Sequence, residues 1–144
     1  MKSIVLIATC LFMGSLQAQW QESFDEALEL ASTESKPIVL VFSGSDWCAP
    51  CIRFKRSILD SQDFTDYASA NYVLYNADFP RKKKNELPLE KSNTNKSLAQ
   101  RFNPSGYFPL VVVLDKEKTV LGKTGFDRRT SPKEFISLLN AFTK

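Results

Sequence analysis

The feature that most constrains the fold is the stretch SDWCAPC, residues 45–51, which follows the apolar, β-branched run of residues 37–43. Such a run is typical of a strand that is buried on both faces. The apolar spacing after Cys51 indicates a helix. The two cysteines therefore lie where a buried strand ends and a helix begins. Pro50 lies in the first turn of that helix, where its missing N–H breaks no hydrogen bond.

The rest of the chain alternates between helical and extended patterns. Ser23 and Ser131 each precede a glutamate by three residues, which is the pattern of a capping box at a helix start. Strands separated by helices favour parallel pairing, and a terminal hairpin adds antiparallel strands. We therefore expect an α/β fold with a central mixed sheet and helices on both faces. In chain order the predicted elements are a helix at 23–34, a strand at 37–43, a helix from the cysteines to Ala68 with a kink near Asp60 and Ser61, a strand at 72–79, the longest loop at 80–95, a short helix with Leu98 and Phe102, strands at 108–115 and 120–125, and a closing helix.

The first eighteen residues have the pattern of a secretory signal peptide. Lys2 precedes an apolar run from Ile4 to Met13, and Ala18 is a small residue suited to cleavage. The run is shorter than the roughly 20 residues that a membrane-spanning helix needs. The prediction is a signal peptide at 1–18, a domain at 19–144, a periplasmic or secreted location and no stable membrane insertion after cleavage. A buried N-terminal helix or a retained anchor is the alternative.

The composition excludes several kinds of site. The 144 residues contain no histidine, which removes histidine acid–base catalysis, Cys-His nucleophiles and most zinc and copper sites. The 19 basic and 16 acidic residues give a net charge of +3, too small to indicate a nucleic-acid partner. Without the signal peptide only two of the three cysteines remain, Cys48 and Cys51.

This pair has three interpretations. As a structural disulfide it closes a very short loop, which stabilises a fold less than a long-range bridge. As a metal clamp it offers half of the ligands that zinc needs, although two thiolates suit copper(I). As a catalytic couple it places Cys48 at a helix N-terminus, where the thiolate is favoured and acts as the nucleophile. Cys51, one turn later, then acts as the resolving thiol.

The motifs together resemble the thioredoxin superfamily. The matching stretches are FSGSDWCAPC, GYFPLVVVLD, the glycine of KTGF and the closing amphipathic helix, and the resemblance covers about residues 20–144. It implies a thioredoxin-like fold and a thiol–disulfide oxidoreductase with a Cys48–Cys51 redox disulfide. In particular, the chain is similar to small exported bacterial proteins with a WCxPC active site.

The resemblance also assigns substrate-binding residues. Pro109 matches the family's cis-proline, which faces the cysteine pair. Phe108 precedes it, and its backbone would pair with an extended substrate segment. Trp47 and Phe108 would form an apolar rim, and Gly125 matches the glycine that lets substrate approach from the other side.

Two polar features near the motif have plainer interpretations. Asp46 is interpreted as a solvated polar side chain rather than a proton-transfer group. The basic run RKKK, residues 81–84, is interpreted as a solvated loop, with an electropositive contact for an acidic partner or a phospholipid surface as the alternative.

One departure from the family pattern concerns proton transfer. Thioredoxins carry a buried aspartate six residues before the nucleophilic cysteine, and that position holds Phe42 in this chain. The accompanying lysine on the next strand is also missing, with Leu74 at the expected position. The sequence therefore predicts that Phe42 lies near Cys51 and offers its thiol no proton acceptor.

The expected function is that of an exported thiol–disulfide oxidoreductase that reduces or isomerises disulfides in envelope or secreted proteins. We expect protein disulfide substrates, a membrane thiol relay as electron donor, no cofactor and no resident metal, and a monomeric state. The alternative is a non-enzymatic binding module of the same fold or a copper(I) carrier.

Overall fold

The computed structural model describes residues 20–144, so the predicted signal peptide and Cys10 lie outside the described residues. Two short turns accompany the regular elements, a π-helical turn at Lys55–Leu59 and a 3₁₀ turn at Lys83–Asn85. The helices and strands are α1 Phe24–Glu34, β1 Ile38–Ser43, α2 Ala49–Phe54, α3 Gln62–Asn71, β2 Val73–Asp78, α4 Leu89–Phe102, β3 Leu110–Leu114, β4 Val120–Thr124 and α5 Pro132–Phe142.

The four strands form one mixed sheet in the order β2-β1-β3-β4. The central strand β1 pairs in parallel with β2 and antiparallel with β3, and β4 pairs antiparallel with β3. Every residue of β1 is buried, as its continuous apolar run predicts. The expected mixed sheet is confirmed, and its central strand leads directly into the cysteine motif.

Helices cover both faces of this sheet. Alternate residues of β1 point to opposite faces, so Val39 and Val41 belong to one core while Leu40 and Phe42 belong to the other. The first core is completed by α2, α3 and α5, and the second by α1 and α4. No helix within residues 20–144 is both long enough and apolar enough to cross a membrane.

Both predicted capping boxes are present. The Ser23 hydroxyl accepts a hydrogen bond from the Glu26 N–H, and the Glu26 carboxylate accepts one from the Ser23 N–H. Ser131 and Glu134 repeat this arrangement at the start of α5. Local sequence thus determines where the first and last helices begin.

The prediction of a loop at 80–95 is wrong for the second half of that range. Helix α4 begins at Leu89 and runs for 14 residues, whereas the sequence predicts only a short helix around Leu98 and Phe102. Its buried residues are just Asn95, Leu98 and Phe102, too few for a visible apolar period. Asn95 is fully buried, and its amide donates to the Asp78 carbonyl. A polar residue therefore anchors the helix where the pattern suggested a loop.

The predicted kink after the cysteine helix is confirmed. Helix α2 continues into the π-helical turn Lys55–Leu59, and α3 starts after a break at Asp60 and Ser61. The Lys55 ammonium contacts both Asp60 carboxylate oxygens, at 2.8 and 2.7 Å. The Ser61 hydroxyl caps the new helix by accepting from the Phe64 N–H.

Candidate active site

The two cysteines lie at the start of α2 and form a disulfide. Cys48 is the N-cap residue, and its N–H donates to the Gly44 carbonyl at 2.9 Å. The Cys51 N–H points at Cys48 Sγ, 3.3 Å away. A hydrogen-bond donor at this distance favours the negatively charged form of the Cys48 sulfur once the disulfide is reduced. Pro50 lies in the first helical turn, as the sequence predicts.

Exposure does not distinguish the two cysteines in this disulfide form. Cys48 is 5% exposed and Cys51 is 4% exposed. Both sulfur-bearing side chains are therefore almost completely buried in the oxidised protein. The difference between them lies in their surroundings, because Cys48 accepts the amide contact and Cys51 lines a cavity against the sheet.

Trp47 is fixed against the chain immediately before Cys48. Its indole N–H donates to the Phe79 carbonyl at 2.7 Å. The ring also lies so close to Gly44 that an added Cβ there would be 2.3 Å from the indole. Gly44 is thus required by the position of Trp47, a role that the sequence analysis did not identify. The sequence signal for this role is the presence of a glycine between the buried strand and the tryptophan.

Phe108 and Pro109 lie beside this tryptophan. The Trp47 and Phe108 rings meet edge to face with centroids 5.6 Å apart, and Phe79 contacts Phe108 at the same distance. The Phe108–Pro109 peptide bond is cis, as the resemblance implied. The buried Asn103 holds the preceding residue through two hydrogen bonds to the Tyr107 backbone.

Gly125 follows β4 and lies next to Pro109. A Cβ added at Gly125 would meet only the Pro109 carbonyl, at 3.9 Å, which is an ordinary contact. Packing within the chain therefore does not require glycine at this position. The space beside Gly125 is otherwise open, and its use by a substrate segment stays a prediction.

Asp46 organises the loop that follows β2. Its carboxylate accepts hydrogen bonds from the N–H groups of Arg81 and Lys82, at 2.9 and 3.0 Å, and from the Asn85 amide at 2.9 Å. The Arg81 and Asn85 hydrogen bonds are the main cause that lowers the pKa of Asp46 to about 2. Asp46 is thus a structural anchor rather than a free solvated side chain, whereas residues 81–84 are exposed as predicted.

The predicted neighbourhood of Cys51 needs a correction. Phe42 is buried in the core on the opposite face of the sheet, against α1 and α4. The cavity of about 210 Å³ beside Cys51 is lined from β1 by Val41 and Ser43. Counting six residues back from Cys48 reaches the wrong face, because consecutive strand residues alternate between faces.

The second strand shows a similar shift. Leu74 lies in the core opposite Val39, and the residue that lines the cavity is Asn76, opposite Val41. The Ser43 hydroxyl donates to Asn76 Oδ1 at 2.7 Å, and Asp78 Oδ1 lies 3.4 Å from the same oxygen. A neutral polar chain that ends at a carboxylate therefore lies beside Cys51. Sequence patterns do not reveal this chain, because its members come from two strands.

The Asp78 carboxylate also fixes the turn before the motif. It accepts hydrogen bonds from the Ser45 N–H at 2.8 Å and from the Ser45 hydroxyl at 2.5 Å. Within residues 20–144 no three Cys, Asp or Glu side chains come close enough to hold a metal ion.

Comparisons with known proteins agree with this geometry. The model of the Thioredoxin-like family matches residues 19–116. The disulfide bond reductase DsbH of Chlamydia pneumoniae is 39% identical over 115 residues, which cover 80% of this chain and 67% of that protein. A solved structure, the DsbH oxidoreductase, is 31% identical with a TM-score of 0.81, and the match covers 97% of this chain and 94% of that one. A disulphide isomerase from Xylella fastidiosa Temecula1 has the same fold, with a TM-score of 0.62 at 20% identity over 90% of this chain and all of its own.

Proposed function

Because the chain belongs to the thioredoxin-like family and is a thiol–disulfide oxidoreductase, we propose that it reduces disulfides of exported proteins through Cys48 and Cys51. The observation that carries the proposal is the Cys48–Cys51 disulfide at the start of α2, next to the Trp47 and Phe108 rings. The relative that is named a disulfide bond reductase supports the reducing direction.

The first step is attack on the substrate. The reduced protein presents Cys48 as a thiolate, favoured by the Cys51 N–H and the start of α2. This thiolate attacks one sulfur of a substrate disulfide. The substrate S–S bond breaks, a mixed disulfide forms between Cys48 and the substrate, and the other substrate sulfur leaves as a thiolate that takes a proton from water.

The second step releases the substrate. Cys51 loses its proton and attacks Cys48 Sγ in the mixed disulfide. The Cys48–Cys51 disulfide forms, and the second substrate thiol leaves. Two electrons have then passed from the protein to the substrate, which now carries two thiols. An external dithiol, for which a membrane thiol relay is the proposed source, reduces the protein again.

The substrate segment is proposed to bind between Phe108 and Gly125. The backbone beside Phe108 offers an extended edge for a strand-like segment. The rings of Trp47 and Phe108 supply an apolar rim, and the open space at Gly125 accommodates the opposite side of the segment. In this arrangement the substrate disulfide faces Cys48.

The location and the partners belong to the same proposal. The signal-peptide pattern at residues 1–18 supports export to the periplasm or the exterior, with a mature domain from about residue 19. In such a compartment a lone thiol pair becomes a disulfide unless it is reduced. A reductase there therefore needs a supply of electrons from a partner dithiol.

Insulin reduction and a redox titration test this function. The protein should accelerate the reduction of insulin disulfides by dithiothreitol, and Cys48→Ser should abolish that acceleration. The reduction potential of the pair should lie nearer to that of thioredoxin, about −270 mV, than to that of a strong oxidant such as DsbA, about −120 mV. A potential near the oxidant value would overturn the reducing direction and leave an oxidase.

A further inference from the structure

The basic loop, defined as Arg81, Lys82, Lys83 and Lys84, is fastened to the active site although its side chains are exposed. Asp46, two residues before Cys48, accepts hydrogen bonds from the first two of its N–H groups and from the Asn85 amide. These contacts join the site to residues 35 to 39 positions later in the chain. The position of the loop relative to the cysteines is therefore determined by the fold.

The first residue of the basic loop contacts the tryptophan beside the nucleophile. The Arg81 guanidinium carbon lies 3.7 Å from the centre of the Trp47 ring. Such stacking holds the guanidinium by one face and leaves its N–H groups free at the edge. Trp47 is itself fixed by its hydrogen bond to the Phe79 carbonyl. A positive charge is thus presented at the rim of the proposed substrate groove.

A cleft of about 420 Å³ continues from this charge along the loop. Its lining includes the basic side chains of Arg81, Lys82, Lys83 and Lys96 and the two carboxylates of Asp78 and Glu86. The Asp78 carboxylate is already held by Ser45. None of the ion pairs within residues 20–144 involves a side chain of the basic loop. The Asp46 carboxylate contacts the backbone of the loop and interacts electrostatically with Lys82.

We propose that the basic loop and its cleft bind acidic side chains of a polypeptide substrate, close in sequence to the cysteine that Cys48 attacks. The inference rests on the proposed function and names the substrate class of the same site. A guanidinium edge is suited to a carboxylate, which it binds through two parallel hydrogen bonds. An extended segment advances about 3.3 Å per residue. Because Arg81 stacks on Trp47, the residue before Cys48, we expect these acidic residues within a few positions of the substrate cysteine.

The geometry favours a polypeptide over a lipid surface. The charge is fixed to the ring that borders the nucleophile, so the surface that attracts the anion is continuous with the groove where a disulfide must dock. A membrane that covered the same edge would block that groove.

Peptide kinetics test the inference. Three disulfide peptides that differ only in flanking residues, with glutamate, glutamine or lysine, are mixed with the reduced protein, and the second-order rate constant is followed by tryptophan fluorescence. The acidic peptide should react about tenfold faster than the basic one at low salt. In about 0.5 M salt the ratio should fall to about twofold or less, because screening shortens the reach of exposed charges.

Two variants locate the effect. Replacing Arg81, Lys82 and Lys83 together by glutamine should reduce the acidic-to-basic ratio to about twofold or less at low salt. Lys116→Gln removes one positive charge in the β3–β4 turn, at the far end of the sheet, and should keep the ratio of the unsubstituted protein.

Each result has one consequence. Equal rate constants for the three peptides would overturn the inference while leaving the reductase function intact. Failure to reduce any of the peptides would overturn the proposed function and the inference with it. Binding to anionic-lipid vesicles that the triple variant loses, with an unchanged peptide ratio, would assign the loop to a lipid surface and overturn the inference.

Discussion

Val41 and Asn76 lie opposite each other in the parallel pairing of β1 with β2, and both line the cavity beside Cys51. Neither an aliphatic side chain nor a neutral amide accepts a proton at neutral pH. Burial disfavours a charged thiolate, so the attack by Cys51 lacks direct help from these two neighbours. The second step of the proposed reaction should therefore depend on pH more than the first.

We expect the mixed disulfide of the unsubstituted protein to decay faster as the pH rises from about 6 to 9, the range around the ordinary thiol pKa of about 8.5. Val41→Asp places a carboxylate in the cavity and should speed that decay at pH 7 by at least about tenfold, since a positioned general base contributes up to about 10²- to 10⁴-fold. The buried charge should also destabilise the fold by several kcal/mol. Rapid-quench analysis of a single turnover with a model disulfide measures the decay.

Two matched variants separate the proton effect from altered packing. In Val41→Asn the new side chain has nearly the shape of aspartate but is not a base. Phe42→Asp places the carboxylate on the opposite face of the sheet. Neither should accelerate the decay. A fast decay of the mixed disulfide of the unsubstituted protein that is flat across this pH range would contradict the prediction. It would indicate that the Asn76–Ser43–Asp78 chain carries the proton.

Trapping experiments test the roles of the two thiols. Cys51→Ser should accumulate mixed disulfides with substrates, because Cys48 attacks and nothing then resolves the product. Cys48→Ser should accumulate few, since its remaining thiol lines the cavity against the sheet. Non-reducing gels after acid quenching reveal the adducts. Equal trapping by the two variants would show that the roles are not divided in this way.

The charge of Asp46 should determine whether the basic loop stays attached to the active site at acidic pH. Its pKa is lowered from 3.8 to about 2 in the folded protein, chiefly by the Arg81 N–H and the Asn85 amide. A carboxyl with a lowered folded-state pKa stabilises the fold fully above its unfolded-state pKa, and that stabilisation is lost as the pH falls through the folded-state value. The backbone amide resonances of Arg81 and Lys82 should therefore titrate with a midpoint near pH 2.

Asp46→Asn is the control for this titration. It keeps an oxygen that accepts hydrogen bonds but loses the charge, so the two amide resonances should show no titration of this kind. A midpoint near 3.8 in the unsubstituted protein would mean that the carboxylate does not hold the loop in solution.

Tyr75→Phe should destabilise the protein by about 1–3 kcal/mol, since it leaves a buried acceptor without a partner. The fully buried Tyr75 hydroxyl donates to Asn95 Oδ1 at 2.8 Å, and burial raises the pKa of Tyr75 to about 12. Tyr107→Phe removes a hydroxyl from a side chain that is 67% exposed and should cost less than about 0.5 kcal/mol. Denaturant unfolding of the oxidised proteins compares the two; equal losses would contradict the buried hydrogen bond as the cause.

The sequence by itself determined the features that depend on neighbours a few residues away. The capping boxes at Ser23 and Ser131 set two helix starts because their hydrogen bonds span three residues. The continuous apolar run of β1 requires burial on both faces wherever the strand lies in the sheet. The order of strand, Cys48 and helix likewise follows from local patterns, and with it the chemistry of the thiol pair.

Only the tertiary structure decided which side chains meet around that pair. Val41, rather than Phe42, lies beside Cys51, because the face on which a strand residue lies depends on how β1 packs against α2. Helix α4 begins at Leu89 although its sequence is mostly polar, since the buried Asn95 finds partners on β2. Asp46 reaches Arg81 across 35 residues of chain. The physical reason is common to all three. The local sequence indicates that a side chain needs a partner, but the partner comes from a distant segment and is in place only once the sheet has formed.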